Sequence, residues 1–338
     1  MRVAQLWSNN RKSQYKMKPQ IVIHIGANKT GSSAIQSFIR ANIDLLTTAG
    51  YLVPDSELGL SNRITGEHVF ALQRFINEND PNGLTAAVQD LVSKAEQKTL
   101  LLSAENLSNP GRHQFFAGAA NQFAIRIILY IRRQDDMITS SWQQWQSKIT
   151  DDFEAWLIPA LQTIGHWDRL VKNWESIVGS GNVTVRIFER SEFPDGNIML
   201  DFLDCLGIDH TDASVVFPKE DINPSFSDVI TDLVAGNKLL FRDANDNEFF
   251  QMLLELTGRR YIEGKKVSLL SPKQREQIIR YYSAENEKLR AEFFPERDAL
   301  FKPIEHSRYR YLNREQMDRE QKQLLMSLIF SLWKKTKP

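Results

Sequence analysis

The strongest constraint on the fold of this chain is a series of five short apolar runs, each separated from the next by helical sequence. They lie at residues 20–26, 50–54, 98–106, 124–133 and 182–190, and each is continuous rather than alternating. Strands that are buried on both faces have this pattern, and such strands occur in parallel sheets covered by helices. We therefore predict a three-layer α/β fold around a central, mainly parallel five-stranded sheet.

The rest of the chain divides around this sheet. Residues 1–19 carry five basic side chains and no central apolar run, so we expect a flexible N-terminal arm and not a secretory signal. Residues 20–224 are expected to form the α/β core, and residues 225–338, which have a helical pattern, a C-terminal extension packed on it. The last helix is expected to dock on its own domain through an apolar stripe: Leu324, Leu325, Leu328, Ile329 and Leu332.

Composition excludes several classes of protein. The chain has 42 basic and 42 acidic residues, and a net charge of zero gives no support to a nucleic-acid partner. The single cysteine, Cys205, excludes an intramolecular disulfide framework. The histidines share no spacing typical of metal ligands, so no metal is expected. No apolar run reaches the length of a membrane span, and we expect the protein in the cytoplasm.

A glycine-rich loop follows the first predicted strand, where "HIGANKTGSS" places Gly26 and Gly31 before a helix predicted over residues 32–46. Backbone N–H groups and a helix N-terminus in such a loop surround an anion. A nucleotide triphosphatase has lysine directly after the second glycine. This chain has Ser32 there, and its lysine is Lys29. No predicted strand ends in an aspartate for magnesium. The alternative is a tight turn without a ligand.

The segment "IHIGANKTGSSAIQ" resembles the 5'-phosphosulfate-binding loop of sulfotransferases, particularly the bacterial sulfotransferase-like families with a P-loop-type fold. The resemblance implies the donor 3'-phosphoadenosine 5'-phosphosulfate (PAPS), with its 5'-phosphate against Lys29, Thr30, Gly31, Ser32 and Ser33. It also implies metal-independent, in-line transfer of a sulfuryl group to an acceptor hydroxyl, with a carbohydrate as the candidate acceptor. Lys29 then has a catalytic role, because an ammonium stabilises charge on the bridging phosphate oxygen.

A second part of the resemblance is "LYIRRQDDMITSSW" after the fourth strand. Sulfotransferases close this strand with an arginine, and a serine eight residues later joins it on the donor's 3'-phosphate. Arg132 with Ser140 and Arg133 with Ser141 both have this spacing. The family pattern places an aspartate four residues after the arginine, and Asp136 satisfies this for Arg132. We therefore predict Arg132 and Ser140 as the 3'-phosphate ligands.

Two residues compete for the role of general base. Glu105 ends the third predicted strand, at the sheet edge where ligands bind in open α/β folds. Some carbohydrate sulfotransferases are similar in placing a catalytic glutamate there. His68 lies after the second strand and titrates near neutral pH, which also suits a base. The alternative for Glu105 is a capping or ion-pairing role.

The resemblance extends over about residues 20–302 and includes "HWDRLVKNWESIVGSGNVTVRIFERSEF" and "NPSFS". The Arg-Lys-Gly segment that cytosolic sulfotransferases use at the 3'-phosphate is absent, and Lys219 or Ser225 are candidates to replace it. Two alternatives to a sulfotransferase stay open. One is a P-loop kinase or nucleotide triphosphatase with a degenerate loop, and the other is a non-catalytic nucleotide-binding protein.

Overall fold

The computed structural model describes the following residues: 20–96, 98–209, 211, 214–218, 226–257 and 266–336. The predicted arm at residues 1–19 lies outside them, as do Lys219 and Ser225.

Five strands form one sheet: β1 (Ile21–His24), β2 (Tyr51–Leu52), β3 (Thr99–Ser103), β4 (Ile125–Ile131) and β5 (Val183–Ile187). Their order is β2-β3-β1-β4-β5, and each neighbouring pair is parallel. The predicted α/β fold with a parallel five-stranded sheet is confirmed. In this order, β2 and β3 lie on one side of β1, and β4 and β5 lie on the other side. In open α/β sheets, ligands bind where the strand order reverses, and here that position is the carboxyl end of β1.

The α-helices of the described residues are numbered in chain order: α1 (Ser32–Ala41), α2 (Ile43–Thr48), α3 (Val69–Asn77), α4 (Pro81–Lys94), α5 (Ala117–Ala120), α6 (Gln134–Gln144), α7 (Phe153–Thr163), α8 (Trp167–Val178), α9 (Ile198–Leu206), α10 (Asp228–Val234), α11 (Glu248–Thr257), α12 (Pro272–Tyr281), α13 (Ser283–Phe293) and α14 (Arg314–Lys335). Two short strands, β6 (Lys266–Val267) and β7 (Tyr309–Arg310), pair in parallel.

The chain divides into two compact units. Unit 1 comprises the described residues of Met1–Arg132 and Trp167–Ile222, and it holds the five-stranded sheet with α1–α5, α8 and α9. Unit 2 comprises those of Arg133–His166 and Asn223–Pro338, and it holds α6, α7 and α10–α14. The boundary expected at residue 224 stays a prediction.

The core of unit 1 lies on both faces of the sheet. Side chains alternate between the faces along each strand. Val22, Leu101 and Ile128 pack on one face with Phe38 of α1 and Phe202 of α9. The intervening strand side chains are equally buried, and α4 and α8 pack against β3, β4 and β5. The result is the predicted three-layer arrangement.

The prediction of a single helix over residues 32–46 is wrong in one respect. Asn42 divides this segment into the two helices α1 and α2. The Asn42 amide donates to the carbonyl oxygens of Phe38 and Val216, at 2.8 Å each. Its Oδ1 accepts from the Val216 N–H at 2.8 Å. A partner 174 residues away in sequence therefore fixes where α1 ends.

In unit 2, α14 packs on α10 and α11. Met317 and Leu324 are buried in that core, and Leu328 packs against it. Leu325, Ile329 and Leu332 are exposed. The expectation that the whole stripe docks is therefore wrong for the C-terminal part of α14.

One buried carboxylate joins the sheet of unit 1 to α9. Asp201 accepts from the Tyr130 hydroxyl at 2.8 Å and from Arg186 Nε at 3.0 Å, and a second Arg186 nitrogen contacts its other oxygen. The Asp201 side chain is fully buried. Removing it leaves the Arg186 charge without this partner in a poorly solvated position.

We expect Asp201→Ala to lower the free energy of unfolding by about 3–5 kcal/mol, since one partner of a buried ion pair is lost. Urea denaturation measures this difference. Glu78→Ala, an exposed change at another acidic residue of unit 1, serves as the control and should stay within about 0.5 kcal/mol of wild type. Equal effects of the two changes would contradict the role given to the buried pair.

Candidate functional site

The glycine loop lies at the carboxyl end of β1, as predicted, and its backbone turns sharply there. Lys29 and Gly31 both have left-handed backbone conformations, with φ of 65° and 84°. The Thr30 N–H and hydroxyl both donate to the carbonyl oxygen of Ala27, at 3.2 and 2.5 Å. These bonds close the loop on itself and place Lys29 at its tip, half-buried.

Close packing restricts the second glycine of this loop. A Cβ atom on Gly31 would lie 2.7 Å from the Ile198 side chain and 2.9 Å from the Phe188 ring. The positive φ of Gly31 adds to the strain that any other residue would meet. Gly31 therefore fits this position for two independent reasons.

Helix α1 begins directly after Gly31 and presents its N-terminus to the same edge of the sheet. Gly31 supplies no side-chain cap, and the first turn of α1 contains no acidic residue. The N–H groups of a first helical turn have no partners within the helix and carry a partial positive charge. Ser32 is buried, with its hydroxyl donating to Ala27 O at 3.3 Å, and Ser33 is half-buried. This end of α1 has the chemistry that an anionic phosphate requires.

Arg132 follows β4 and contacts the glycine loop directly. Its guanidinium donates to the Lys29 carbonyl oxygen at 3.0 Å and lies 5.7 Å from the centroid of the Phe188 ring. The Arg132 carbonyl oxygen accepts from the Trp167 indole at 2.8 Å. The structure thus brings together two of the predicted site residues, Lys29 and Arg132.

The neighbouring Arg133 has different partners. Its guanidinium donates to Asp135 at 2.6 Å, and to Asp136 and the Tyr309 hydroxyl at 3.2 Å each. Its guanidinium is therefore held by two carboxylates, which also pair with Arg275, and this favours Arg132 over Arg133 as the candidate phosphate ligand. Ser140 lies buried on α6 in unit 2, and its role stays a prediction.

Glu105 begins a short 3-10 helix immediately after β3 and is half-buried. Burial raises the pKa of its carboxyl, the negative charge of Glu67 raises it further, and Lys29 lowers it. Glu105 therefore lies within electrostatic reach of the loop lysine. A carboxylate with a raised pKa is a stronger base than an exposed one.

The ring of His68 forms hydrogen bonds to backbone groups through both of its nitrogens. The Ser103 N–H donates to His68 Nδ1 at 3.0 Å, and Nε2 lies 3.1 Å from the carbonyl oxygen of Pro54. These partners assign the proton to Nε2. The ring is buried, and burial lowers its pKa. Because both ring nitrogens bond to backbone groups, this geometry favours Glu105 over His68 as the base.

His24 also forms hydrogen bonds to the end of β3. Its Nδ1 lies 2.8 Å from the Ser103 hydroxyl, and its carbonyl oxygen accepts from the Ala104 N–H at 3.0 Å. Burial lowers the pKa of His24 to about 3, so the ring is neutral. Ser103 is thus held by two neutral histidines, and Glu105 follows it by two residues.

Sequence reasoning missed Ser103 and Glu67. Ser103 has no motif, and only its cross-strand position opposite His24 reveals its role. Glu67 carries a weak signal, because it stands between Gly66 and His68. Gly66 has a φ of 75°, and a Cβ there would lie 2.2 Å from the carbonyl oxygen of Gln36. Burial raises the pKa of Glu67.

Among the described residues, no cluster of three or more histidine, cysteine, aspartate or glutamate side chains is placed to bind a metal ion. None of the helices within these ranges is both long enough and apolar enough to cross a membrane.

Comparison with known proteins gives limited matches. No family model matches the chain. An uncharacterised protein of Archaeoglobus fulgidus is 29% identical over 202 residues, which cover 58% of this chain and 53% of that protein. The chain therefore spans about half the length of the curated relative it matches.

Two solved structures are also similar. A sulfotransferase from Alicyclobacillus acidocaldarius has 14% identity and a TM-score of 0.45, and the match covers 82% of this chain and 96% of that one. The sulfotransferase domain of the Synechococcus PCC 7002 olefin synthase has 14% identity and a TM-score of 0.38, with 80% and 97% covered. Similarity at these values establishes neither the family nor the activity of this chain.

We expect acidification to destabilise unit 1 because His24 is neutral when folded. Its folded pKa, about 3, lies below the ordinary 6.5, so its contribution is fully present above pH 6.5 and is lost as the pH falls toward 3. At about pH 5 the loss from His24 amounts to about 2 kcal/mol. Urea unfolding at about pH 7.5 and about pH 5 measures it. His24→Asn retains an acceptor for Ser103 and should show a smaller pH effect. An identical pH effect in this variant would contradict the assignment.

Proposed function

We propose that this chain is a sulfotransferase that transfers a sulfuryl group from PAPS to an acceptor hydroxyl. One observation carries the proposal: Lys29, Arg132 and Glu105 leave three adjacent parallel strands at the same sheet edge and interact there. Arg132 donates to the loop carbonyl at 3.0 Å, and the Lys29 charge acts on the carboxyl of Glu105. Two cations beside a helix N-terminus suit a donor with two phosphates, and the carboxylate supplies a base.

In the proposed donor site, the glycine loop and the end of β4 bind different phosphates of the donor. The N-terminus of α1, with residues 29–33, would hold the 5'-phosphate, because its N–H groups and Lys29 all attract an anion. Arg132 would bind the 3'-phosphate, and the assignment of Ser140 to the same phosphate rests on the sequence resemblance. A guanidinium has five N–H donors, so its bond to the Lys29 carbonyl leaves capacity for a phosphate.

The proposed reaction is a displacement at sulfur. The acceptor oxygen forms a bond to sulfur while the bond from sulfur to the donor's phosphate oxygen breaks. Glu105 takes the proton of the acceptor hydroxyl, and Lys29 stabilises the negative charge that develops on the departing oxygen. No electron is gained or lost by the protein, and no metal is part of the proposal.

A carbohydrate is the proposed acceptor class. Glu67 supports it, because a second carboxylate beside the base can accept a hydrogen bond from a neighbouring hydroxyl of a sugar. The cytoplasm is the proposed location.

Ligand binding tests the donor site. We expect adenosine 3',5'-bisphosphate to stabilise the protein without a metal, by about 2.7 kcal/mol at a hundred times its dissociation constant. A thermal-shift titration measures this. Arg132→Ala should weaken it, whereas Arg63→Ala, an exposed change in unit 1, should not.

The same titration with ATP distinguishes the alternatives. Stabilisation by ATP with magnesium, and not by the bisphosphate, would replace the proposal with a kinase or nucleotide triphosphatase. Bisphosphate binding without transfer from radiolabelled PAPS to any of a panel of saccharides and simple alcohols would indicate a non-catalytic nucleotide-binding protein.

The pH dependence of transfer tests the base. The pKa of Glu105 is raised above its ordinary value, so activity should fall as the pH drops through that raised pKa. We expect Glu105→Gln to reduce kcat by about a hundredfold or more while bisphosphate still binds. Glu67→Gln is the matched change, because it removes the charge beside the base and keeps an oxygen that can accept a hydrogen bond from the sugar. Loss of the Glu67 charge lowers the pKa of Glu105, so the acidic limb of the pH profile of kcat should shift to lower pH. Full activity of Glu105→Gln would exclude it as the base.

A further inference from the structure

The C-terminal part of α14 exposes a continuous apolar face. Six large apolar side chains are between 44% and 65% exposed there: Leu325, Met326, Ile329, Phe330, Leu332 and Trp333. Successive helical residues are about 100° apart, so these six lie within an arc of about 160°. Scattered exposed apolar residues are ordinary, but a continuous face of this kind marks an interaction surface.

This face is separate from the surface by which α14 packs into unit 2. Met317, Gln321 and Leu324 are buried there, and Leu328 packs beside them. They form the next sector of the same helix. The packing of these buried residues fixes the orientation of α14 within unit 2. The apolar face lies on another side of the helix and is therefore exposed.

The charged side chains of this last part of the chain are of one sign. Residues 321–338 contain four lysines and no acidic residue. Lys322, Lys334 and Lys335 are exposed, and Lys334 Nζ lies 4.9 Å from the centroid of the Phe330 ring. An apolar face with tryptophan and phenylalanine, bordered by lysines, is the pattern of a helix that lies in a membrane interface.

We propose that this face of α14 binds the lipid–water interface of a bilayer that contains anionic lipids. The apolar side chains would enter the boundary between headgroups and acyl chains, and the lysines would contact the negative headgroups. The helix would lie along the surface without crossing it. The attachment does not depend on the proposed sulfotransferase activity.

A second copy of the chain fits this face less well. In an antiparallel pairing centred on Ile329, Lys335 of each copy would approach Gln323 and Lys322 of the other, so like charges would meet. A parallel pairing would align identical lysines. The apolar segment of nine residues is also only about 13 Å long, which is short for an interface of about 800 Å² per partner.

Vesicle flotation with the full chain tests the proposal. Wild type should float with vesicles that contain phosphatidylserine and bind pure phosphatidylcholine vesicles much more weakly. High salt should reduce the binding, because it screens the lysine charges. Absence of binding to the phosphatidylserine vesicles overturns the proposal.

Variants separate the contributions. The exposed double change Lys334→Glu with Lys335→Glu should reduce binding by more than tenfold, since each lysine near the surface contributes about fivefold. Ile329→Ser with Phe330→Ser should also reduce it by about tenfold or more. Leu239→Ser, a 96% exposed apolar position elsewhere in unit 2, is the control and should bind like wild type. Equal losses in the control overturn the proposal.

Sedimentation velocity without lipid tests the alternative that a second copy of the chain covers the apolar face. Wild type and the Ile329→Ser, Phe330→Ser variant should sediment alike. A wild-type dimer that the variant converts to monomer would assign the face to a second copy and overturn the proposal. Bisphosphate stabilisation of the variants should equal that of wild type, which keeps this test separate from that of the donor site.

Discussion

A parallel sheet covered by helices on both faces leaves only its strand ends for polar chemistry, and the candidate site depends on this constraint. In unit 1, β1 and β3 run in register, with His24 opposite Ser103, so the two strands end at the same level. The chain then leaves β1 through the glycine loop, β3 through Glu105 and β4 through Arg132. The burial of hydrophobic strands thus concentrates two cations, a carboxylate and a helix N-terminus at one edge.

Neutral histidines hold this edge together. Ser103 bonds to His24 through its hydroxyl and to His68 through its backbone N–H. Both rings are buried, and burial lowers the pKa of each. The geometry around Glu105 is therefore linked to the stability of unit 1, since protonation of either ring opposes the folded state. The two histidines hold the end of β3, which Glu105 follows.

Local sequence determined much of the fold. The apolar runs predicted all five strands of the sheet, with ends within a few residues of those observed. Continuous rather than alternating hydrophobicity predicted a sheet that is covered on both faces, because alternation is lost when neither face meets water. The spacing of Gly26 and Gly31 after β1 predicted the loop, since the backbone conformation at Gly31 is a local property. The sequence also showed directly that the lysine of this loop is residue 29 and that residue 32, where a nucleotide triphosphatase has lysine, is a serine.

Only the tertiary structure distinguishes the environments of residues whose partners are distant in sequence. Arg132 and Arg133 are adjacent and have the same residue type, but one contacts the glycine loop and the other two aspartates and Tyr309. The preference for Glu105 over His68 rests on the carbonyl of Pro54 and the backbone of Ser103, which no local pattern could associate with a histidine. The same holds for the end of α1 and for the exposed face of α14. Sequence periodicity specifies which residues are apolar, whereas burial and hydrogen bonding depend on what the folded chain brings beside them.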